Sequence, residues 1–311
     1  MNNKIKVINF NHSFIFFLFC NIFSFIVFKF SNFNISSLIC LILILIIGVS
    51  HGSLDHEKGR KLFKIFNINS ISIFYISYIS ISILIIAIWI FMPSISLIVF
   101  LFVASYHFGK EDTQFLINKV SIFNQLLFFL KGLLIILAPI FFNFDDTVSI
   151  FKLILVDNEN FYLTLDFIES NKILPILIIL STLSSIYLFL KEFNLKKFSI
   201  FLDYFSILIL NYYLSPLVAF TMYFCFLHSV RHSMSLIYEI DNQDFSNGIK
   251  IFIKKAIPLT ILTGIFCLIG LYLLNNNYDL NSSILKIIFI GLASLTFPHI
   301  LLEYFLEKYE K

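Results

Sequence analysis

Seven histidines are spread over 311 residues, and six of them fall in four short segments: 48–56 (GVSHGSLDH), 105–112 (SYHFGKED), 228–232 (HSVRH) and 298–303 (PHILLE). Imidazole is a ready ligand for transition metals and a proton carrier near neutral pH. His228 and His232 are spaced i, i+4, so both rings leave one face of a helix and can hold one ion. His51 and His56 are five apart, about 140° around a helix, and do not face the same ion. His51 is the better ligand because it lies inside an apolar run, whereas His56 lies beside Lys58 and Arg60 and reads equally well as an interfacial residue. His12 stands alone. A lone histidine on an apolar helix is ordinarily a hydrogen-bonded core residue, so the argument rests on the grouping.

Carboxylates accompany the rings. Asp55 follows His51 at i+4, Glu111 follows His107, and Glu303 follows His299, with Asp112 next to Glu111. A metal-bound imidazole usually gives its other N–H to a carboxylate or carbonyl, which fixes its tautomer and orientation. The competing reading is that these acids mark the polar end of each apolar run. Arg231 lies between the paired histidines on another face and is expected to pair with an acid or with backbone carbonyls. Gly52 and Gly109 admit close helix approach, or are plain helix-end glycines.

The elements that position these residues must be membrane helices. The chain is 59% hydrophobic and 13% charged, with a mean hydropathy of +0.92, far too little charge to cover a soluble domain of this size. The net charge of +3 is scattered and offers no basic face to nucleic acid. All four cysteines (Cys20, Cys40, Cys225 and Cys267) lie in apolar runs, which suggests neither a disulfide framework nor a zinc knuckle. The run at 13–30 lacks a small-residue cleavage site and continues to Lys29, so it reads as a span, not a signal peptide.

Ten candidate spans follow: 13–30, 34–51, 70–91, 94–108, 120–142, 172–190, 199–214, 217–238, 256–274 and 284–305. The positive-inside rule supports the alternation. With Lys4 and Lys6 cytoplasmic, Lys58, Arg60, Lys61, Lys64, Lys110, Lys119, Lys191, Lys196, Lys197, Lys250, Lys254, Lys255, Lys308 and Lys311 all fall on the same side, and the acidic connection 143–171 falls opposite. The expected fold is all-α, one polytopic integral membrane domain over residues 1–311 with both termini cytoplasmic. The histidine segments belong to spans two, four, eight and ten, which run in the same direction. Each ring comes late in its span, roughly 18–25 Å along the helix, so the imidazoles share one depth in the cytoplasmic half. Ionisable groups placed so are functional by default.

Neutral imidazoles suit Fe, Zn, Cu or Ni. Membrane di-iron enzymes need about eight histidines, and two bis-histidine haems need ligands at two depths, so one mononuclear ion fits best. A histidine-cluster metal transporter or sensor is the alternative, but the outer halves of spans two, four, eight and ten are almost without polar residues.

The four segments, in this order and spacing, resemble the motifs of the Brp/Blh family of membrane β-carotene 15,15′-dioxygenases, associated with microbial rhodopsins. One departure is Ser50, where many members carry proline; it is expected to alter the local helix end rather than the ligand set. The resemblance implies an Fe(II) centre that cleaves the central double bond of β-carotene with O₂ to give two all-trans-retinal molecules. Carried over residue by residue, it makes His51, His107, His228 and His232 the catalytic iron ligands. His299 then stands as a fifth ligand or a supporting group, with Asp55, His56, Glu111, Asp112, Arg231 and Glu303 in auxiliary positions. Tyr106, Phe108, Phe224, Phe226 and Phe297 flank the motifs and are candidates to line a polyene tunnel. The implied partners are β-carotene, O₂ and the lipid bilayer, with no protein partner evident, and the implied location is the plasma membrane.

Overall fold

The structure is a computed structural model that describes residues 3–30, 35–68, 70–117, 121–191 and 193–309, with Asn3 and His51 described by backbone alone. Positions 34, 119, 120 and 311, and the side chain of His51, therefore lie outside the described residues. Every regular element among them is helical. In chain order these are α1 (Asn3–Lys29), α2 (Ser37–Leu43), α3 (Asp55–Ile65), α4 (Ile71–Phe91), α5 (Pro93–Glu111), α6 (Ile122–Phe142) and α7 (Phe144–Leu153). They continue with α8 (Glu159–Ser170), α9 (Ile173–Leu190), α10 (Ser199–Tyr213), α11 (Pro216–Met222), α12 (Val230–Ile240), α13 (Phe245–Leu274) and α14 (Leu280–Tyr309).

In lipid every backbone polar group must be satisfied within the segment, so apolar runs become helices. Their starts are written locally. Pro93 and Pro216 open α5 and α11 where no amide partner is needed. Ser36, Ser121, Asn158 and Asp244 accept hydrogen bonds from first-turn amides of α2, α6, α8 and α13. Large apolar side chains such as Phe25, Ile76, Phe266 and Leu268 point outward from α1, α4 and α13, as helices facing hydrocarbon do.

Among the described residues seven helices are long and apolar enough to cross a membrane, α1, α4, α5, α6, α9, α13 and α14, or eight if the bent pair Ser37–Gly48 and Gly52–Ile65 is one span. The expected ten are not established. Three of the ten candidate spans depart from a straight, uniform helix. The second is broken: Ser37–Gly48 and Gly52–Ile65 meet at a 43° bend. The seventh is α10, of only 15 residues. The eighth is divided into α11, a π-helical turn at Tyr223–Ser229, and α12. The ninth and tenth start earlier than their apolar runs, because α13 and α14 each continue for 30 residues. The acidic connection 143–171 is not plain loop but carries the short helices α7 and α8.

Two local features bring the histidine segments together. A second π-helical turn, Ile44–Gly48, packs against the one at Tyr223–Ser229. Ser229 Oγ donates to the Gly48 carbonyl at 3.2 Å, and a Cβ at Gly48 would come within 2.6 Å of Phe224. Such widened turns shift the register of the side chains beyond them and are common at functional sites. On the other side, α5 and α6 touch backbone to backbone. A Cβ on Gly109 would lie 1.8 Å from the Phe128 carbonyl oxygen, and one on Gly132 would lie 1.8 Å from that of Ser105.

Candidate metal centre

His107 on α5, His228 in the second π-turn, His232 on α12 and His299 on α14 converge in the interior, each at most 8% exposed. Ring centroids are 5.3 Å apart for His107–His228, 5.5 Å for His107–His299 and 5.8 Å for His232–His299. The Val49–Leu54 turn that carries His51 packs against the Tyr223–Ser229 turn and α12. His107, His299 and Glu303 each bring one donor atom within 4.8 Å of the others.

The carboxylates are arranged differently from the i+4 expectation. Asp55 meets His299 on α14, with both oxygens 2.9 Å from Nδ1. Glu111 faces His232 Nδ1 at 3.3 Å, and Asp112 faces His228 Nδ1 at 3.4 Å. Glu303 lies near its own i+4 ring: it is 3.5 Å from His299 Nε2, 3.7 Å from His232 Nε2 and 3.9 Å from His107 Nδ1. The reason is directional. An acid one turn along lies beside its ring, whereas an acid on an adjoining helix can meet the ring edge that carries Nδ1.

Further groups hold the acids. Tyr78 donates its hydroxyl to Asp55 at 3.0 Å, and to the Leu295 carbonyl one turn before Pro298. Tyr223 donates to Asp112 at 2.6 Å, and Gln114 to Glu111 at 2.7 Å. Lys58 donates to Glu303 at 2.7 Å and lies 3.4 Å from His232 Nε2. Arg231 meets its expectation. It donates twice to Asp203, at 2.9 and 3.1 Å, and also to the Asp112 carbonyl and to Ser13.

Several candidates lie off the cluster. His56 turns back to the Ser53 carbonyl through Nδ1 at 3.0 Å. His12 donates to the Phe226 carbonyl, inside the second π-turn, at 2.8 Å. Of the aromatic candidates, Phe108 and Phe224 lie against His228, with centroids at 4.7 and 5.9 Å. Phe226 meets Phe19 of α1, Phe297 is half-buried against the main core, and Tyr106 is half-buried beside His107.

Asp203, Lys131, Tyr78 and Tyr223 were not singled out from the sequence. For the first two the signal was present: each is a charged residue inside an apolar span. Lys131 and Asp112 line the same small cavity between α5, α6 and α10.

A divalent transition metal fits these residues. Imidazole nitrogens braced by carboxylates are the donor set such ions take. Charge points the same way. Around the cluster, among the described residues, the carboxylates Asp55, Glu111, Asp112, Asp203 and Glu303 outnumber the cations Lys58, Lys131 and Arg231, while Lys110 at the edge is paired with Glu307. With neutral imidazoles two negative charges remain, which one divalent cation balances.

Fold and site together define a helical protein of the membrane class, built around a buried histidine–carboxylate centre. The chain belongs to the β-carotene 15,15′-dioxygenase family, which it matches over residues 42–307, a stretch that contains all four histidine segments. It is therefore a carotenoid-cleaving oxygenase. A relative from the uncultured marine bacterium 66A03, named β-carotene 15,15′-dioxygenase, is 28% identical over 282 residues, or 86% of this chain and 93% of its own. No solved structure matches the chain.

Proposed function

We propose that this protein cleaves the central double bond of β-carotene with O₂, giving two molecules of all-trans-retinal for a microbial rhodopsin. The observation that carries the reading is the meeting of His107, His228 and His232 in one carboxylate-braced cluster, inside the segment that matches the family. His51, His107, His228 and His232 would hold a single Fe(II). Bound there, the ion would supply O₂ activation.

The chain's own groups do the rest. Asp112 and Glu111 hold the Nδ1–H of His228 and His232, which puts the acceptor lone pair of each neutral ring on Nε2. Phe108 and Phe224 put apolar ring surface against His228, which suits a polyene and keeps water from the reacting bond. A substrate that is a rigid apolar rod partitions into the bilayer and reaches such a site between helices. The proposed setting is a single plasma-membrane domain with ten crossings, both termini on the cytoplasmic side and the cluster in the cytoplasmic half.

The test is expression in β-carotene-producing cells supplied with iron. The expected result is loss of orange colour with accumulation of retinal. Persistent colour with the protein shown to be present would refute the reading.

A further inference from the structure

We infer that His299 binds the metal directly through Nε2, alongside His107, His228 and His232. The inference rests on the reading that the cluster holds a metal ion, and on nothing about the carotenoid.

His299 is 4% exposed and stands between His107 and His232. Its centroid distances to them, 5.5 and 5.8 Å, are close to the 5.3 Å that separates His107 from His228. The ring is firmly oriented. Both oxygens of Asp55 lie 2.9 Å from Nδ1, and Asp55 is itself fixed by the Tyr78 hydroxyl. With Nδ1–H directed at a carboxylate, the lone pair of the neutral ring resides on Nε2. That nitrogen faces the interior of the cluster, 3.5 Å from Glu303 Oε1.

The contrast with His56 is instructive. That ring also has its Nδ1 satisfied, but by the Ser53 carbonyl of its own turn. A carboxylate behind the imidazole and a tyrosine behind the carboxylate form the chain of support that metal-ligating histidines characteristically have. A purely structural histidine at this position would need only the first hydrogen bond.

The test is His299→Cys, purified in lipid nanodiscs and loaded with Co(II). Direct ligation by position 299 produces a thiolate-to-cobalt charge-transfer band in the near ultraviolet, with one cobalt per chain. The wild-type protein lacks the band, because its four cysteines lie outside the histidine segments. One cobalt bound to His299→Cys with no such band overturns the inference. If that variant fails to fold, His299→Gln is titrated with Co(II) instead. A fall in affinity beyond about 100-fold supports ligation, since lost supporting groups cost roughly 10–100-fold; a smaller fall overturns it. Asp55→Asn, which removes only the support, is expected within that 10–100-fold range. Retinal formation is not read in any of these arms. Charge transfer without retinal in the cleavage assay would refute the cleavage reading alone, and the reverse result would refute the ligand alone.

Discussion

Asp203→Asn removes one side of a buried ion pair. Arg231 and Asp203 are 3% and 1% exposed, and the guanidinium meets both carboxylate oxygens in a bidentate pair. Removing the carboxylate charge leaves a buried guanidinium whose nearest remaining carboxylate among the described residues is Asp112, with an oxygen 3.6 Å away that already serves His228. Breaking one side of a buried pair costs about 3–5 kcal/mol. Because Asp112 still offers partial neutralisation, the lower figure applies here, about 3 kcal/mol. At about 2.1 cal/mol/K of unfolding entropy per residue, a chain of 311 residues shifts by about 1.5 °C per kcal/mol, so the melting temperature falls by about 5 °C. The measurement is thermal unfolding in nanodiscs of fixed lipid composition. The double variant Asp203→Leu with Arg231→Met replaces the pair by apolar volume and is expected to recover most of the loss. A single variant that melts within about 2 °C of wild type, or a double variant that melts below the single, would refute this account.

Other expectations are shorter to state. His232→Ala is expected to abolish both iron retention and retinal formation, while Glu303→Gln weakens them about 10–100-fold; full iron in His232→Ala would remove it from the ligand set. Gly109→Ala drives a methyl group to 1.8 Å from a backbone oxygen of α6 and should cost up to about 3 kcal/mol, read as a lower melting temperature. Gly264→Ala on α13, where nothing lies within 4 Å, serves as the control and should stabilise by about 0.5–1 kcal/mol. Chelation of the bound metal should lower the melting temperature, and a chelated protein that melts like the loaded one would count against the charge argument.

Much of the site was legible because its parts obey helical spacing. The i, i+4 pair His228 and His232 and its grouping with His107 and His299 follow from counting along apolar runs, which left His56 open between an auxiliary group and an interfacial residue. The partner of each ring was not legible. Deciding that Asp55 serves His299 and Glu111 serves His232 requires the rotation of each helix about its axis, which depends on packing at Gly109–Gly132 and at the crossing of the two π-turns. Those turns leave no periodic trace in so apolar a segment. Helix lengths were underestimated at α13 and α14 because polar turns at their ends extend beyond the hydrocarbon-length window. The expectation for His51 falls on a side chain outside the described residues, so only its backbone placement enters the comparison.

The exchange of acids between helices has a mechanical consequence. Had each ring been braced by its own i+4 acid, a helix would rotate with ring and acid together, and the bracing would survive any change in packing. Here α3 braces α14 through Asp55, the end of α5 braces His228 and α12 through Asp112 and Glu111, and Glu303 of α14 stands beside His107 of α5 and His232 of α12. A rotation of any one helix separates a ring from its acid and leaves both buried and unpaired, which is costly in a low-dielectric interior. Ligand geometry and helix packing are therefore set together. The two residual negative charges bind the metal into the same logic. Without a cation the carboxylates repel one another across helix boundaries, and with one the same charges draw α3, α5, α12 and α14 onto a common centre.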